Sequence, residues 1–235
     1  MTTPTTTPKQ ILATALLALV IAIAAMAFTM PTFASRLFRP FTSATRLGIS
    51  PDTSGGNSAA TAIPEGAQKA TLAAGCFWGV EHLYRKHFGN KGLYDARVGY
   101  TGGDVNSPSY RAVCTGQTGH AESVQLHFDP QRLTYQQILE FFYQLHDPTT
   151  ANRQGPDVGP QYRSAIYVHD AEQERVARDV TKRASEQWYN GGIVTEIVNA
   201  GRWWDAEEYH QQYLHHNPSG YECPTHFLRK FPPLQ

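Results

Sequence analysis

The sequence predicts an α+β domain built on a ferredoxin-like two-layer α/β sandwich, with long loops and an irregular C-terminal tail. Strand-like and helical patterns of apolar residues follow each other in the order strand, helix, strand, strand, helix, strand, which is the split βαβ pattern. These patterns begin only near Lys69, after a stretch rich in glycine, serine, threonine and proline that is typical of a linker. We therefore predict a targeting or anchor segment plus a disordered linker over residues 1–68, and one folded domain over residues 69–235.

The first predicted strand and helix meet at a pentapeptide bounded by Gly75 and Gly79. Residues 69–74 form a short apolar run closed by a glycine, which predicts a buried strand. From Val80 to Phe88 the apolar side chains recur at helical spacing, which predicts a helix.

The later elements follow from alternation, turn residues and helix caps. Thr134 and Asp170 precede segments of helical spacing, so each is predicted to cap a helix, the second one reaching about Tyr189. Gly-, Ser-, Asp- and Pro-rich stretches predict two long loops, at 100–119 and 147–163, and loops of this length are usually functional. The remaining predictions are strands at 93–99, 122–128, 164–168 and 193–198, and a helical turn within 206–215.

The N-terminal segment contains an uninterrupted apolar run from Ile11 to Phe28. As a helix this run would span roughly 27 Å, about the thickness of a bilayer's hydrocarbon core. Three interpretations stay open: a signal peptide cleaved after residues 25–27, a membrane anchor, or a start at Met30 that leaves an arginine-bearing, acid-free leader typical of a mitochondrial transit peptide. If residues 11–28 anchor the chain in a membrane, the arginines that follow outweigh Lys9 and place the folded domain on the cytoplasmic side.

Composition excludes several classes of protein. The 235 residues include 20 basic and 20 acidic side chains, so no strong field points to nucleic acid. Three cysteines are too few for a disulfide scaffold and favour a compartment that keeps thiols reduced, the cytoplasm or the mitochondrion. The histidines at 210, 215 and 216 have no cysteine or carboxylate at zinc-ligand spacing, so no metal is predicted.

Cys76 is the candidate nucleophile. A cysteine where a strand ends and a helix begins is exposed to unpaired N–H groups and a partial positive charge, which favour the thiolate. We therefore predict that the pKa of Cys76 lies below the free value of about 8.5. The alternative is that Cys76 is one more small buried side chain.

The motif Gly75-Cys76-Phe77-Trp78-Gly79, together with Gly119-His120-Ala121-Glu122, resembles the A-type peptide methionine sulfoxide reductases from about Lys69 to nearly the end of the chain. The resemblance implies a reductase that converts methionine S-sulfoxide, free or in oxidised proteins, to methionine, and so repairs proteins after oxidative stress. It implies a sulfenic acid on the catalytic cysteine, then an intramolecular redox-active disulfide that thioredoxin reduces. No bound cofactor is implied, and we predict a monomer.

The resemblance also implies roles for individual residues. Glu122 would donate a proton to the sulfoxide oxygen, which Tyr110 and Tyr162 would bind. Substrate-binding roles fall on three further residues: Asp157 would lie near the substrate, while Phe77 and Trp78 would hold its ε-methyl group.

Cys223 is the candidate resolving thiol, because glycine and prolines around it predict an irregular, mobile tail that can bring two sulfurs together. Many bacterial members have Gly-Tyr-Cys here and a further cysteine, whereas this chain inserts Glu222 and lacks that cysteine. Cys114 is predicted to be structural and is the alternative resolving thiol.

Two other functions stay open. A cysteine hydrolase or acyltransferase would pair Cys76 with a histidine base such as His120 and would need no second cysteine. A non-catalytic redox-sensing thiol module would form a disulfide but would not turn over.

Overall fold

The computed structural model describes residues 63–235. The predictions for the apolar run at 11–28, for a start at Met30 and for the linker up to residue 62 lie outside these residues, while the last residue of the predicted linker, Gln68, begins the first strand. Among the helices of the described part, none has the length and apolar composition that a membrane crossing requires.

Within residues 63–235, eight strands form two sheets. In chain order they are β1 (Gln68–Ala74), β2 (Leu93–Thr101), β3 (Ala121–Phe128), β4 (Arg153–Gln154), β5 (Asp157–Val158), β6 (Ser164–Val168), β7 (Glu196–Asn199) and β8 (Trp204–Asp205). The large sheet has the order β7-β6-β1-β3-β2-β8, and β4 pairs with β5 in a separate ribbon. The four central strands, β6-β1-β3-β2, are antiparallel to one another in each neighbouring pair, as in a ferredoxin-like sandwich. The predicted fold class is therefore confirmed, with β7 and β8 added at the two edges.

In the same described part of the chain, five α-helices accompany the strands: α1 (Phe77–Phe88), α2 (Tyr110–Cys114), α3 (Tyr135–Leu145), α4 (Ala171–Trp188) and α5 (Tyr213–His216). Single 3₁₀ turns lie at Pro160–Tyr162 and Glu208–His210. Both predicted caps are present: Thr134 forms a capping box with Gln137, and the Asp170 carboxylate accepts the Gln173 N–H. Each such cap stabilises its helix by about 1 kcal/mol.

The main core fills the space between the sheet and α1, α3 and α4. Strand side chains of one parity pack there against aromatic and aliphatic side chains of these helices, among them Leu72, Val124, Leu126, Tyr84, Ile138 and Phe142. Burying one such side chain contributes roughly 1.5–3 kcal/mol, so this layer fixes the position of α1 over the sheet. The start of α1 carries Cys76, and the packing of α1 therefore positions the candidate site.

Three details differ from the sequence predictions. Helix α1 begins at Phe77 rather than Val80, so that Cys76 is its N-cap residue. The predicted loop at 100–119 contains α2, whose first turn is capped by the Ser109 hydroxyl. The last predicted strand lies at Glu196–Asn199, pairing parallel to β6, because the sheet edge and not the local pattern selects its register.

The C-terminal tail is irregular, as predicted, but it is packed onto the domain. Phe231 stacks on Trp188 with ring centroids 4.8 Å apart, and the Trp188 indole N–H donates to the Pro232 carbonyl at 3.0 Å. Cys223 is only 1% exposed. Long-range contacts that the local sequence does not reveal thus pack this thiol against the domain, and the mobility of the segment stays a prediction.

Candidate active site

Cys76 lies at the turn between β1 and α1. It adopts φ −51° and ψ 119°, and Gly75 before it has φ 91°, a conformation that side chains disfavour. A Cβ atom on Gly75 would lie 2.6 Å from two carbons of the Gln154 side chain, so close packing also requires glycine here. The Gln154 side chain therefore packs over this turn, and Cys76 is only 7% exposed.

Burial raises the pKa of the Cys76 thiol well above its ordinary value, and the negative charge of Glu122 acts in the same direction. The backbone N–H of Trp78 lowers it, but by less. The prediction of a lowered pKa is thus wrong in this structure. A helix N-terminus stabilises a nearby charge by at most about 2 kcal/mol, and the loss of solvent around a buried thiolate costs more.

Glu122 is the first of the β3 side chains that face the helices, and it contacts the first residue of α1. Its Oε2 accepts the Phe77 backbone N–H at 3.2 Å, and the residue is 1% exposed. Loss of solvent raises the pKa of Glu122 to about 8; the hydrogen bond from Phe77 opposes this, and the charge of Asp157 adds to it. At neutral pH the side chain is therefore mostly a neutral carboxylic acid that can donate a proton.

Tyr110, the first residue of α2, and Tyr162, the last residue of a 3₁₀ turn, both lie near Glu122. Burial raises the pKa of each phenol, and the second cause for both is the charge of Glu122. Cys76 also raises the pKa of Tyr162. Both hydroxyls therefore remain protonated and can donate hydrogen bonds near Glu122.

Asp157 belongs to the same group. Its Oδ1 accepts the Tyr221 hydroxyl at 2.9 Å, while its Oδ2 is buried without a protein partner. Its charge raises the pKa of both Cys76 and Glu122. A buried oxygen without a partner, next to two reactive groups, is available to accept a hydrogen bond from a ligand.

Phe77 and Trp78 form an aromatic wall, but they differ in exposure. Phe77 is 1% exposed and belongs to a second apolar cluster with Val98 and Tyr100, so much of its ring is core. Trp78 is half-buried and stacks on Tyr213 at a centroid distance of 3.8 Å.

The wall includes residues to which the sequence assigned no role. The Trp78 indole N–H donates to His210 Nδ1 at 3.0 Å, and the His210 ring lies 4.4 Å from that of Tyr110. The Glu207 carboxylate accepts the Tyr100 hydroxyl at 2.8 Å and the Tyr110 backbone N–H at 2.9 Å. Glu207, His210 and Tyr213 are three residues apart in the sequence. This spacing is the one sequence signal that could have grouped them, because it places side chains on one side of a helical segment.

The three cysteines are free thiols in this structure. The Cys223 Sγ is 3.5 Å from the carbonyl oxygen of Gln154, whose side chain packs on Gly75, the residue before Cys76. Cys114 is exposed at the end of α2 and interacts with Tyr110. The prediction of a structural role for Cys114 is not supported, because an exposed side chain contributes little to packing.

His120 is placed differently from a catalytic base. Its Nδ1 accepts the Gly103 backbone N–H at 3.2 Å, and its Nε2 lies 2.7 Å from the Val105 carbonyl oxygen. Both ring nitrogens therefore fix a loop, which argues against a Cys76–His120 hydrolase. Within residues 63–235, no group of three or more histidine, cysteine, aspartate or glutamate side chains is arranged to hold a metal ion.

Comparison with known proteins settles the family. The model of the family described as peptide methionine sulfoxide reductase matches residues 68–231. The chain belongs to this family. A probable peptide methionine sulfoxide reductase of Schizosaccharomyces pombe is 50% identical over 164 residues, which cover 69% of this chain and 96% of that protein.

Solved structures agree with this assignment. Mxr1 of Saccharomyces cerevisiae in reduced form is similar with a TM-score of 0.67 and 42% identity, over 70% of this chain and 93% of that one. Mxr1 in complex with Trx2 is similar with a TM-score of 0.51 and 29% identity, over 71% and 93% of the two chains. The reductase is thus an oxidoreductase that reduces methionine sulfoxide with thiols, and the hydrolase and sensor hypotheses are not favoured.

Proposed function

We propose that this chain reduces the S epimer of methionine sulfoxide, free and in oxidised proteins, with Cys76 as nucleophile, Glu122 as acid and Cys223 as resolving thiol. The observation that carries the proposal is that a buried carboxylic acid, Glu122, accepts the backbone N–H of Phe77, the residue directly after Cys76. We further propose that residues 69–235 are the catalytic domain, which agrees with the family match and with the start of β1.

In the first step Cys76 sulfur attacks the sulfoxide sulfur while Glu122 gives its proton to the sulfoxide oxygen. The oxygen moves to Cys76 as a sulfenic acid, methionine leaves, and the thiol's proton returns to Glu122. Because the pKa of Glu122 is about 8, the acid is in its proton-donating form at neutral pH.

Substrate contacts follow from the surrounding donors and apolar surface. The hydroxyls of Tyr110 and Tyr162 would bind the sulfoxide oxygen, and Asp157 would accept a hydrogen bond from the substrate through its unpartnered oxygen. Phe77 and Trp78 would seat the methyl group, with Trp78 held in place by His210 and Tyr213.

In the second step the Cys223 thiol attacks the Cys76 sulfenic acid, forms a disulfide and releases water. We propose thioredoxin as the partner that reduces this disulfide by thiol–disulfide exchange, supported by the relative Mxr1, whose structure is known in complex with Trx2. No metal or organic cofactor is needed for either step. One chain contains every proposed group, so we expect a monomer, acting where thiols are kept reduced, in cytoplasm or mitochondrion.

The test is NADPH consumption by the full chain with thioredoxin, thioredoxin reductase and methionine S-sulfoxide. We expect turnover with the S epimer, none with Cys76→Ser, and a loss of roughly 10²–10⁴-fold in Glu122→Ala. The R epimer is the matched substrate control. Equal turnover of both epimers would refute the proposed specificity, and disulfide formation without turnover would indicate a redox sensor.

A further inference from the structure

The segment that carries Cys223 closes into a turn and is tied to the strand that leads to Cys76. The His226 backbone N–H donates to the Cys223 carbonyl at 2.9 Å, which closes residues 223–226 into a turn. The His226 ring places Nε2 2.7 Å from the carbonyl oxygen of Ala74, the last residue of β1. Since a carbonyl only accepts, Nε2 must carry the hydrogen, and the side chain bridges the two cysteine-bearing segments.

The imidazole of His226 fills the space between the two glycines that flank Cys76. A Cβ atom on Gly79 would lie 2.5 Å from His226 Nδ1, and one on Gly75 would lie 3.4 Å from Nε2. Nδ1 is buried without a partner, and His226 is 4% exposed. Both glycines thus leave room for one ring, whose directed bond to Ala74 fixes its orientation.

Gln154 holds the other side of the same turn. Its carbonyl oxygen lies 3.5 Å from Cys223 Sγ, and its Oε1 accepts the Thr225 hydroxyl at 2.7 Å. The Gln154 side chain also packs on Gly75. Cys223 therefore lies between His226 and Gln154, whose side chains both pack near Gly75, the residue before Cys76.

We propose that His226 is a positioning residue for the resolving step, holding Cys223 within reach of the Cys76 sulfenic acid through its hydrogen bond to Ala74. This rests on the proposed roles of Cys76 and Cys223. The reaction itself is unchanged: Cys223 sulfur displaces hydroxide from Cys76 sulfur, its proton leaves with that hydroxide as water, and His226 exchanges no proton. A displacement of about 1 Å between reacting atoms slows a step roughly 10²-fold, so loss of the anchor should slow disulfide formation by roughly 10–100-fold.

The test mixes the fully reduced full chain with one equivalent of methionine S-sulfoxide, without reductant. Rapid quenching measures methionine release. The loss of the second free thiol, that of Cys223, measures disulfide formation, because the sulfenic acid has already consumed the first; dimedone traps the sulfenic acid. We expect His226→Ala and His226→Asn to release methionine at the normal rate, form the disulfide roughly 10–100-fold more slowly, and accumulate trapped sulfenic acid. His226→Gln, which can place an N–H near the position of Nε2, should recover most of the rate.

Phe231→Ala is the matched control, since it loosens the tail at Trp188 without touching Ala74. It should form the disulfide at the normal rate. Equal slowing by Phe231→Ala, normal disulfide formation in both His226→Ala and His226→Asn, or loss of methionine release in both variants would each overturn the proposal. Failure of the unmodified chain to release methionine would instead refute the proposed function.

Discussion

The burial of Glu122 has a consequence for stability that can be measured without any substrate. Its pKa is about 8 in the folded chain and has an ordinary value of 4.5, because the folded state favours the neutral acid. A raised pKa gives stability that is fully present below pH 4.5 and is lost as the pH rises towards 8. Glu122→Gln keeps an amide oxygen for the Phe77 N–H but cannot ionise, so it escapes this loss.

The size of the effect follows from those two values. They differ by about 3.5 pH units, and each unit corresponds to 1.36 kcal/mol, so ionisation costs the folded chain at most about 5 kcal/mol. Between pH 5 and pH 8, the free energy of unfolding of Glu122→Gln should rise by roughly 3–4 kcal/mol relative to the unmodified protein. All other titrating groups are common to both proteins and cancel in the difference.

The assay is urea unfolding of both reduced proteins at four pH values from 5 to 8. Glu186→Gln, which removes an exposed carboxylate, controls for the loss of one negative charge. Unfolding free energies of Glu122→Gln and the unmodified protein that run parallel across this range would refute the desolvation argument, and with it the description of Glu122 as a neutral acid.

Three further predictions concern other residues. Because burial raises the pKa of Cys76, its alkylation by iodoacetamide, followed by peptide mass spectrometry, should require a higher pH than that of an ordinary exposed cysteine. Labelling at or below the pH at which a free cysteine reacts would contradict this. His210→Ala leaves the Trp78 indole N–H without its partner. Losing one hydrogen bond of about 1.4 kcal/mol should raise KM for the sulfoxide by roughly tenfold. An unchanged KM in steady-state kinetics would show that His210 does not position Trp78 for substrate binding. Burial lowers the pKa of His146 from 6.5 to about 3, so on acidification the unfolded state binds this proton before the folded state does. The free energy of unfolding should therefore fall by about 2 kcal/mol between pH 6.5 and pH 4.5. In urea unfolding, His146→Gln should lack this fall, and an equal fall in the variant and the unmodified protein would contradict the prediction.

The parts of the fold that the sequence could predict are those that depend on neighbouring residues. Alternation in the strands, helical spacing in α1 and the caps at Thr134 and Asp170 are local, and the structure confirms them. The motif around Cys76 likewise pointed to the thiol that we propose as the nucleophile. Helix α2 was missed because five residues are too short for a periodic signal.

The parts that could not be predicted depend on residues distant in the chain. The pKa of Cys76 is decided by burial and by Glu122, which is 46 positions later, so the local helix-start argument gave the wrong direction. Cys223 is buried by Gln154, which lies 69 positions before it. The partners of Trp78, His210 and Tyr213, come from a segment whose irregular structure gave no pattern beyond a three-residue spacing.

The most direct test of the account is the thiol chemistry of a single turnover. The reduced full chain, given one equivalent of methionine S-sulfoxide without reductant, should yield about one methionine per chain and a Cys76–Cys223 disulfide in peptide mapping, with Cys114 still free. Cys223→Ser should also yield one methionine but stop at the sulfenic acid and fail to cycle with thioredoxin, whereas Cys114→Ser should cycle normally. A Cys76–Cys114 bridge, or Cys223→Ser cycling normally while Cys114→Ser stops after one turnover, would contradict the account.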